Sequence, residues 1–400
     1  MADFKIKPAS GTGNKLILES EDGTDVLTTS DSGVTINSPT LVTPAITGNA
    51  TASGNLTVSG DIVPSTPLSH RNMIINGGMQ VAQRSTSATS ITANGYHAVD
   101  RMYTQFTNGG TWTIAQSTDA PAGFSNSFRM DCTATANMGS ANDFVGWYQK
   151  IEAQNLQHLA YGTASAKAMV VSFWVKSNKT GTYAWLLYAA DGDRNVGANY
   201  TISAADTWEY KTITIPADTG GTINNDNGEG FRLLFYLATG TGRTSGTART
   251  SWTAYALADE AVGHNVNVAD NTANDWSITG VQLELGSNAT PFEHRSYGEE
   301  LARCQRYYEK QEYSGVVLCG YSSSVSRGAV YFSTPKRAIP AYTFFASQQP
   351  NPYWQSAGRS ATASLNNPEN MCVRLELNAG PSDGESVYCN DVYIAGDAEL

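Results

Sequence analysis

The fold is decided by two stretches of sequence, Met169-Val-Val-Ser-Phe-Trp-Val175 and Phe231-Arg-Leu-Leu-Phe-Tyr-Leu237. In both, a large apolar side chain occupies every second position, so one face of an extended chain is uniformly apolar. Val281-Gln-Leu-Glu-Leu285 repeats the pattern, and no long stretch between residues 70 and 295 has helical spacing. The sequence therefore predicts an all-β fold, an antiparallel jelly-roll sandwich of two sheets.

The composition of the chain agrees with this prediction. Charged residues make up only 15% of the 400 residues, and 37 are glycine, a balance that suits strands and turns better than long helices. The length allows two or three domains. The net charge is −11 and lysine and arginine form no cluster, which argues against nucleic acid as a partner.

Residues 1–68 differ from the rest and are predicted to form an N-terminal anchor and stalk. Lys15–Glu19 and Asp25–Thr29 flank a glycine-containing turn and predict a hairpin. Three tandem hexads then begin at Ile46, Ala52 and Val58. Such short repeats become stable when several chains wrap together, which would place these three residues at the axis of a trimer. The alternative is a flexible linker.

Two further domains are predicted after the proline-rich segment 64–67. The sandwich would occupy residues 69–297, and a helix-led β-domain residues 298–400. The helix is predicted from the capping box Ser296-Tyr-Gly-Glu299. Leu301, Cys304 and Tyr308 follow at helical spacing on one side, and charged residues including Glu300 on the other.

The five cysteines are scattered without metal-type spacing and are predicted to be reduced, with a Cys372–Cys389 disulfide as the alternative. The opening Met1–Pro8 lacks the apolar core of a signal peptide, and the most apolar stretch, Ala168–Val175, is too short to cross a bilayer. These features predict synthesis in a cytoplasm without membrane insertion.

Three ordered markers resemble a family of phage tail-fibre and tail-associated structural proteins. The first is Arg71-Asn-Met-Ile-Ile-Asn-Gly-Gly-Met-Gln-Val-Ala-Gln-Arg84, followed by Tyr96-His-Ala-Val-Asp-Arg101. The second runs from Val281-Gln-Leu-Glu-Leu-Gly286 through Phe292-Glu-His-Arg-Ser-Tyr-Gly-Glu-Glu-Leu-Ala-Arg-Cys-Gln-Arg-Tyr-Tyr308. The third is Pro335-Lys-Arg-Ala-Ile-Pro340 with the terminal Asp397-Ala-Glu-Leu400. The resemblance implies a virion structural protein.

The region between the first two markers is similar to carbohydrate-binding-module jelly rolls. The similarity lies in Val171–Ser177, in Thr207-Trp-Glu-Tyr-Lys-Thr-Ile-Thr-Ile-Pro216 and in the closing strand Val281–Leu285. It implies a sugar ligand only weakly, because a fold does not fix a function.

Catalytic arrangements are not apparent in the sequence. It contains no Gly-x-Ser-x-Gly elbow, no His-Glu-x-x-His and no phosphate loop. Glycoside hydrolysis would need two carboxylates across a cleft, and the acidic candidates fall in predicted loops. These candidates are Asp191, Asp193, Asp226 and Glu229. We therefore expect a protein that is not an enzyme.

One of these loops predicts a structural calcium site. Asp191, Asp193 and Asn195 place hard oxygens at alternate positions, although Val196 stands where an EF-hand loop needs glycine. A plain solvated turn is the alternative. No other cofactor is predicted.

Sugar binding would use exposed aromatic faces with polar neighbours. Trp174 and Trp208 lie within predicted strands and are interpreted as core. The candidate glycan or receptor contacts are Tyr353 and Trp354, beside a predicted exposed loop, together with Trp112 and Trp252.

Taken together, these features predict an elongated homotrimer that serves as a tail fibre. Its N-terminal anchor would hold other virion proteins, and three weak sites would attach the particle to a host-surface glycan or protein receptor. It would be assembled in the host cytoplasm and exposed on the virion. The alternatives are a head fibre that decorates the capsid and a polysaccharide depolymerase.

Overall fold

The computed structural model describes residues 5–8, 16–19, 25–30, 33–36, 69–322, 324–346, 363–366, 368–377 and 386–400. The chain divides into two compact units, Met1–Val63 and Pro64–Leu400. The predicted boundary between residues 297 and 298 lies inside the second unit. Ile46, Ala52 and Val58, predicted to line a trimer axis, lie outside the described residues.

The first unit contains four antiparallel strands in the order β1-β2-β3-β4. Their bounds are Lys5–Pro8, Leu16–Glu19, Asp25–Ser30 and Gly33–Ile36. The pairing of Ile17 with Thr28 and of Leu18 with Leu27 confirms the hairpin predicted on either side of the glycine turn.

The second unit begins with a sandwich of thirteen strands in chain order. They are β5 Ser87–Ile91, β6 Gly95–Tyr96, β7 Tyr103–Thr107, β8 Thr111–Ser117, β9 Ser127–Ala134, β10 Phe144–Glu152, β11 Met169–Ser177, β12 Gly181–Ala189, β13 Arg194–Ile202, β14 Glu209–Ile215, β15 Glu229–Thr239, β16 Thr253–Ala254 and β17 Asp275–Leu285. Short 3₁₀ helices interrupt the loops at Ala153–Leu159, Thr241–Arg243, Leu257–Asp259 and Val268–Asp270.

These strands form two antiparallel sheets. The seven-stranded sheet has the order β16-β13-β12-β15-β10-β7-β6, and the six-stranded sheet has the order β14-β11-β17-β9-β8-β5. Strands distant in sequence are neighbours in both sheets, as in a jelly roll. The predicted all-β antiparallel sandwich is confirmed.

The main core fills the space between the two sheets. Trp147 of β10 stacks on Phe235 of β15 with ring centroids 4.9 Å apart, and Phe173 of β11 meets Phe235 edge-on at 5.0 Å. All three side chains are completely buried. Burying a ring of this size stabilises the fold by roughly 1.5–3 kcal/mol. Because a one-residue shift in strand pairing would turn these rings away from the core, the period-two pattern fixes the register of these strands.

The helix α1 (Tyr297–Gln305) leads from the sandwich into a third sheet. The strands of this sheet are β18 Tyr308–Ser322, β19 Val325–Tyr331, β20 Ala341–Ala346, β21 Ala363–Asn366, β22 Cys372–Leu377 and β23 Ser386–Asp397. They are ordered β20-β23-β18-β19-β22-β21. No helix among the described residues is long and apolar enough to cross a membrane.

The capping box predicted for α1 is confirmed at its first half, because the Ser296 hydroxyl accepts a hydrogen bond from the Glu299 amide at 3.3 Å. The predicted faces are partly wrong. The helix ends at Gln305, so Tyr308 belongs to β18. Glu300, expected on the solvent side, is buried and accepts a hydrogen bond from the Asn76 backbone amide at 2.5 Å.

Cys132, Cys304, Cys319 and Cys372 are free thiols, so Cys372 forms no disulfide with Cys389. Complete burial raises the pKa of the Cys304 thiol well above its usual value, which keeps that thiol protonated.

Charged side chains fasten the third sheet to the sandwich. Arg101, completely buried, forms an ion pair with Glu399 and donates to the Lys150 carbonyl at 2.8 Å. Its guanidinium lies 3.4 Å from the centroid of the Tyr307 ring. Arg306 makes two 2.8 Å hydrogen bonds to the Glu152 carboxylate. Because such bonds are directional, they fix the orientation of the sheet as well as its attachment.

The markers that resemble the phage family meet at this junction. Arg84 from the first marker pairs with Asp397 of the terminal marker at 3.1 Å and stacks on Tyr308 of the second. Arg337 of the third donates to the Asn227 carbonyl at 2.8 Å. These residues therefore have a structural role, which is to hold the sandwich and the third sheet in one arrangement.

Candidate functional site

The outer face of the seven-stranded sheet carries aromatic and apolar side chains that the main core does not use. Strand pairing places them in two rows across the sheet. One row is Lys150, Arg232, Tyr188, Asn195 and Thr253. The neighbouring row is Tyr96, Tyr103, Tyr148, Leu234, Leu186 and Gly197. Leu186, Leu234 and Tyr148 are buried in a second, smaller hydrophobic cluster, and Tyr103 and Tyr188 are partly exposed against it, so the exposed part of this face is a candidate binding surface.

The loop between β15 and β17 lies over part of this face. Its backbone is tied to β13, because the Gly197 amide donates to the Arg249 carbonyl at 2.6 Å. Within the loop, Arg243 forms an ion pair with Glu260 and Arg249 with Asp259. The loop is thereby held as one wall beside the open part of the sheet.

A pocket of about 190 Å³ lies between this loop and the sheet. Leu186 and Leu234 are among its apolar lining residues, and Arg232 is among its polar ones. The loop contributes Tyr255 and Glu260. We call this the outer pocket. It is smaller than the roughly 300–1,000 Å³ typical of sites for drug-sized ligands, so it would hold a small unit such as one ring.

Tyrosine rings surround the outer pocket. Tyr188, which also lines it, meets Tyr255 edge-on with ring centroids 5.3 Å apart. In the neighbouring row, Tyr148 of β10 is 6% exposed and stacks on the partly exposed Tyr103 of β7 with ring centroids 4.6 Å apart, and we call this pair the tyrosine shelf. Burial raises the pKa of Tyr188 to about 12, so this phenol remains protonated at neutral pH and can donate a hydrogen bond.

The charges around the pocket are neutralised locally. Arg232 makes hydrogen bonds of 2.7 and 3.0 Å to Glu229, which also pairs with Lys150 at 2.8 Å. Burial alone would lower the pKa of Arg232, but the contact with Glu229 raises it. Tyr255 donates to Glu260 at 2.7 Å. The surface therefore offers hydrogen-bonding groups without a strong excess of charge, which suits a neutral hydroxylated ligand.

The structure places two of the predicted contact residues in the interior. Trp112 is completely buried and donates its indole N–H to the Gly109 carbonyl at 2.7 Å. Trp252 is 7% exposed and donates to the Pro216 carbonyl at 2.8 Å. Their burial contradicts the predicted contact role. Tyr353 and Trp354 lie outside the described residues.

Two other tryptophans were interpreted as core residues, and the structure shows that they are not. Trp174 and Trp208 are only partly buried, on the outer side of the six-stranded sheet. Trp174 lies opposite Tyr210 of β14, which is 44% exposed. The alternation correctly places Trp174 and Phe173 on opposite faces of β11, but it does not show which face is turned towards the core.

The three predicted calcium ligands have different surroundings in the structure. The Asp191 carboxylate accepts two hydrogen bonds from Asn224, at 2.8 and 2.7 Å, and Asp193 accepts one from the Tyr188 hydroxyl at 2.9 Å. Asn195 is completely buried on β13. Over the described ranges, no three histidine, cysteine, aspartate or glutamate side chains lie close enough to hold a metal.

The predicted carboxylate candidates for hydrolysis are each engaged by neighbouring groups. Besides the bonds of Asp191 and Asp193, the Asp226 carboxylate accepts from the Gly228 amide at 2.8 Å. Glu229 is the ion-pair partner of Arg232 and Lys150. These contacts account for the position of each carboxylate in the fold.

No protein-family model matches this chain, and no curated protein matches it either. Solved structures are similar to part of this chain. The tailspike protein 4 enzymatically active domain of bacteriophage CBA120 is 16% identical with a TM-score of 0.28, covering 54% of this chain and 21% of that chain. A protein described as a putative sugar binding protein from Bacteroides thetaiotaomicron is 12% identical with a TM-score of 0.30, covering 54% of this chain and 100% of that chain.

A family 11 carbohydrate-binding module from Clostridium thermocellum is 11% identical with a TM-score of 0.26, covering 52% of this chain and 99% of that one. At these identities and TM-scores the likeness carries no argument about fold, ligand or activity. The candidate site therefore depends on its own geometry.

Proposed function

We propose that this protein is a virion fibre, a tail fibre, that attaches the particle to host-surface glycans by binding them without cleaving them. The observation that carries the glycan part is the outer pocket with its tyrosine shelf, where aromatic rings stand beside ion-paired hydrogen-bonding groups. Sugars present an apolar ring face and a rim of hydroxyls, and this surface matches both. The virion part is supported by the ordered markers that resemble phage tail proteins.

Replacing Tyr188 with alanine is expected to weaken binding to a recognised glycan about tenfold. The ring lines the pocket and holds Tyr255 in place, and truncating an aromatic contact residue of this kind costs roughly 1–2 kcal/mol. Titration calorimetry with an oligosaccharide selected on a printed glycan array measures the change. Tyr188→Phe keeps the ring and should retain most of the affinity.

Tyr297→Ala is the matched control for this experiment, because Tyr297 is 57% exposed and lies outside the outer pocket. Equal affinities for the wild type and Tyr188→Ala would remove the outer pocket from the binding function. Release of new reducing ends from the bound polysaccharide would replace non-catalytic binding with the depolymerase alternative.

The location on the particle needs a separate measurement. Gold-labelled antibody against residues 298–400 is expected at the distal end of the tail on intact virions. Regular labelling over the head would favour the head-fibre alternative. Purified virions without label would contradict the virion assignment.

We also propose a homotrimer, supported by the hexads at Ile46, Ala52 and Val58. The third sheet adds an exposed surface suited to association, since Val317 and Tyr321 of β18 are 59% and 67% exposed. Sedimentation equilibrium is expected to give three times the chain mass of 42.7 kDa. A mass equal to that of one chain would contradict the trimer.

A further inference from the structure

A strip of aromatic side chains crosses the outer face of the six-stranded sheet, on the opposite side of the sandwich from the outer pocket. It consists of Tyr210, Trp174, Phe124 and Phe292, and we call it the aromatic strip. Tyr210 and Trp174 have ring centroids 5.3 Å apart, and Phe124 and Phe292 are 5.0 Å apart. Tyr210 is exposed, and the other three are partly exposed.

A glycine joins the two halves of the strip. Gly280 of β17 has φ +62°, and a Cβ atom there would lie 2.6 Å from the Phe124 ring and 3.2 Å from the Trp174 ring. Both rings therefore rest on the backbone of the same glycine. This contact sets Trp174 and Phe124 side by side, so the four rings make one continuous surface.

Paired charges and an indole border the strip at Trp174. The Trp208 indole N–H donates to Asp119 at 3.1 Å, and Lys176 forms an ion pair with the same carboxylate. The Lys176 ammonium lies 5.5 Å from the centroid of the Trp208 ring. The hydrogen bond from Lys176 lowers the pKa of Asp119, which keeps it an ionised acceptor.

The exposed rings and their polar border together favour a saccharide over another occupant of the strip. An apolar protein surface or a lipid would cover the rings but would also remove water from Lys176 and Asp119 without replacing it. A sugar can stack on a ring and replace that water with its hydroxyl groups. The partly exposed rings and their fixed polar border match that combination.

We propose that the aromatic strip is a second glycan-binding surface, which binds a saccharide chain through Trp174 and Tyr210. It is separate from the outer pocket, because the two sheets stand between them, with roughly 10 Å between packed sheets. One chain could then hold two glycans at once, or two parts of one polysaccharide. Two sites on a rigid support raise the effective affinity for a dense glycan surface.

The test uses a full-length variant in which the outer pocket is disabled by Tyr188→Ala and Tyr255→Ala. This variant is expected to keep binding at least one glycan on a printed oligosaccharide array. Adding Tyr210→Ala should weaken that residual binding about fivefold, which corresponds to the loss of one exposed stacking ring. Adding Tyr297→Ala instead should leave it unchanged. Thermal unfolding of all variants checks that the fold is retained.

Hydroxyl-radical footprinting adds a direct readout. An array-positive oligosaccharide at saturation should protect Tyr210 in the pocket-disabled variant and leave Tyr297 reactive. The proposal is overturned if the pocket-disabled variant binds no printed glycan, if Tyr210→Ala has no effect on its binding, or if Tyr210 is not protected. The wild type is measured in parallel. If the outer pocket does not bind, Tyr188→Ala leaves wild-type affinity unchanged, and if the strip does not bind, Tyr210→Ala leaves the affinity of the pocket-disabled variant unchanged.

Discussion

Replacing Arg101 with alanine is expected to lower the free energy of unfolding by about 3–5 kcal/mol. The guanidinium is completely buried between the sandwich and the third sheet. It neutralises Glu399, donates to the Lys150 carbonyl at 2.8 Å and stacks on Tyr307. Alanine would leave a nearly buried carboxylate whose remaining ion-pair partner among the described residues is Arg84, at 3.4 Å, and a void beside the tyrosine ring.

Urea unfolding followed by circular dichroism measures this loss. Arg303→Ala is the matched control, because it breaks a helix-surface pair with Glu299 whose side chains are 31% and 43% exposed. That variant should change stability by no more than about 0.5 kcal/mol. Arg101→Lys keeps the charge but not the planar donor group, so an intermediate loss is expected. Equal effects of Arg101→Ala and Arg303→Ala would contradict a structural role for the junction.

Hydrogen exchange would show where the protein loosens. Glu399 lies two residues after the end of β23, which pairs with β18 along most of its length inside the third sheet. In Arg101→Ala, the amides of the C-terminal end of β23 should exchange faster than those of β12 in the sandwich. This junction gives the third sheet a fixed orientation on the sandwich.

The strands could be predicted from the sequence because their signal is local. Alternation in Met169–Val175 and Phe231–Leu237 has period two, and both stretches are strands, β11 and β15. The helix start could be predicted for the same reason, since Ser296 and Glu299 are three residues apart. Each of these signals is contained within a few residues.

The candidate site could not be predicted in this way. Alternation shows that Arg232 and Leu234 share a face opposite to Phe231, but it does not show that β10 and β12 bring Tyr148 and Tyr188 beside them. That arrangement depends on pairing between strands distant in sequence. Residue type was also misleading, because tryptophans were favoured as sugar contacts over the tyrosines that line the pocket.

The contacts that join the third sheet to the sandwich could not be predicted from the sequence either. Arg101 and Glu399 are 298 residues apart in sequence, and Glu300 appeared to be one more charge on an exposed helical face. The markers did contain a sign of this junction, because arginines and glutamates, which can form ion pairs, occur in markers at separate places along the chain. Their pairing could be read only after the topology was known.

Acid is expected to destabilise the sandwich through His264. This side chain is partly buried, accepts a hydrogen bond from the Ala184 amide at 3.1 Å on Nδ1, and has Nε2 at 2.7 Å from the Val266 carbonyl. Burial lowers the pKa of His264 to about 4 from an ordinary value near 6.5. Between these values the unfolded chain binds a proton that the folded chain does not, so stability falls as the pH falls.

The contribution of His264 to this loss is about 1.4 kcal/mol per pH unit, reaching about 3 kcal/mol at pH 4. Other groups titrate in the same range, so the measurement is the difference between the wild type and His264→Gln in urea unfolding at pH 7, 6, 5 and 4. Glutamine cannot take up the proton, and the variant should lose less stability over this range. His294→Gln, at an exposed position, serves as the control. Parallel pH curves for the wild type and His264→Gln would show that His264 is not the group responsible.

The same protonation should weaken the proposed glycan binding at the outer pocket. His264 lies at the end of the loop that carries Tyr255 and Glu260, and its amide donates to the Ala261 carbonyl at 3.0 Å. A proton on Nδ1 would displace the Ala184 amide from that nitrogen and release this end of the loop from β12. Affinity of the wild type should therefore fall with its stability below pH 6.5, while the His264→Gln variant keeps a flatter profile. Binding that falls equally in both proteins would instead place the acid sensitivity in the ion pairs of the pocket itself.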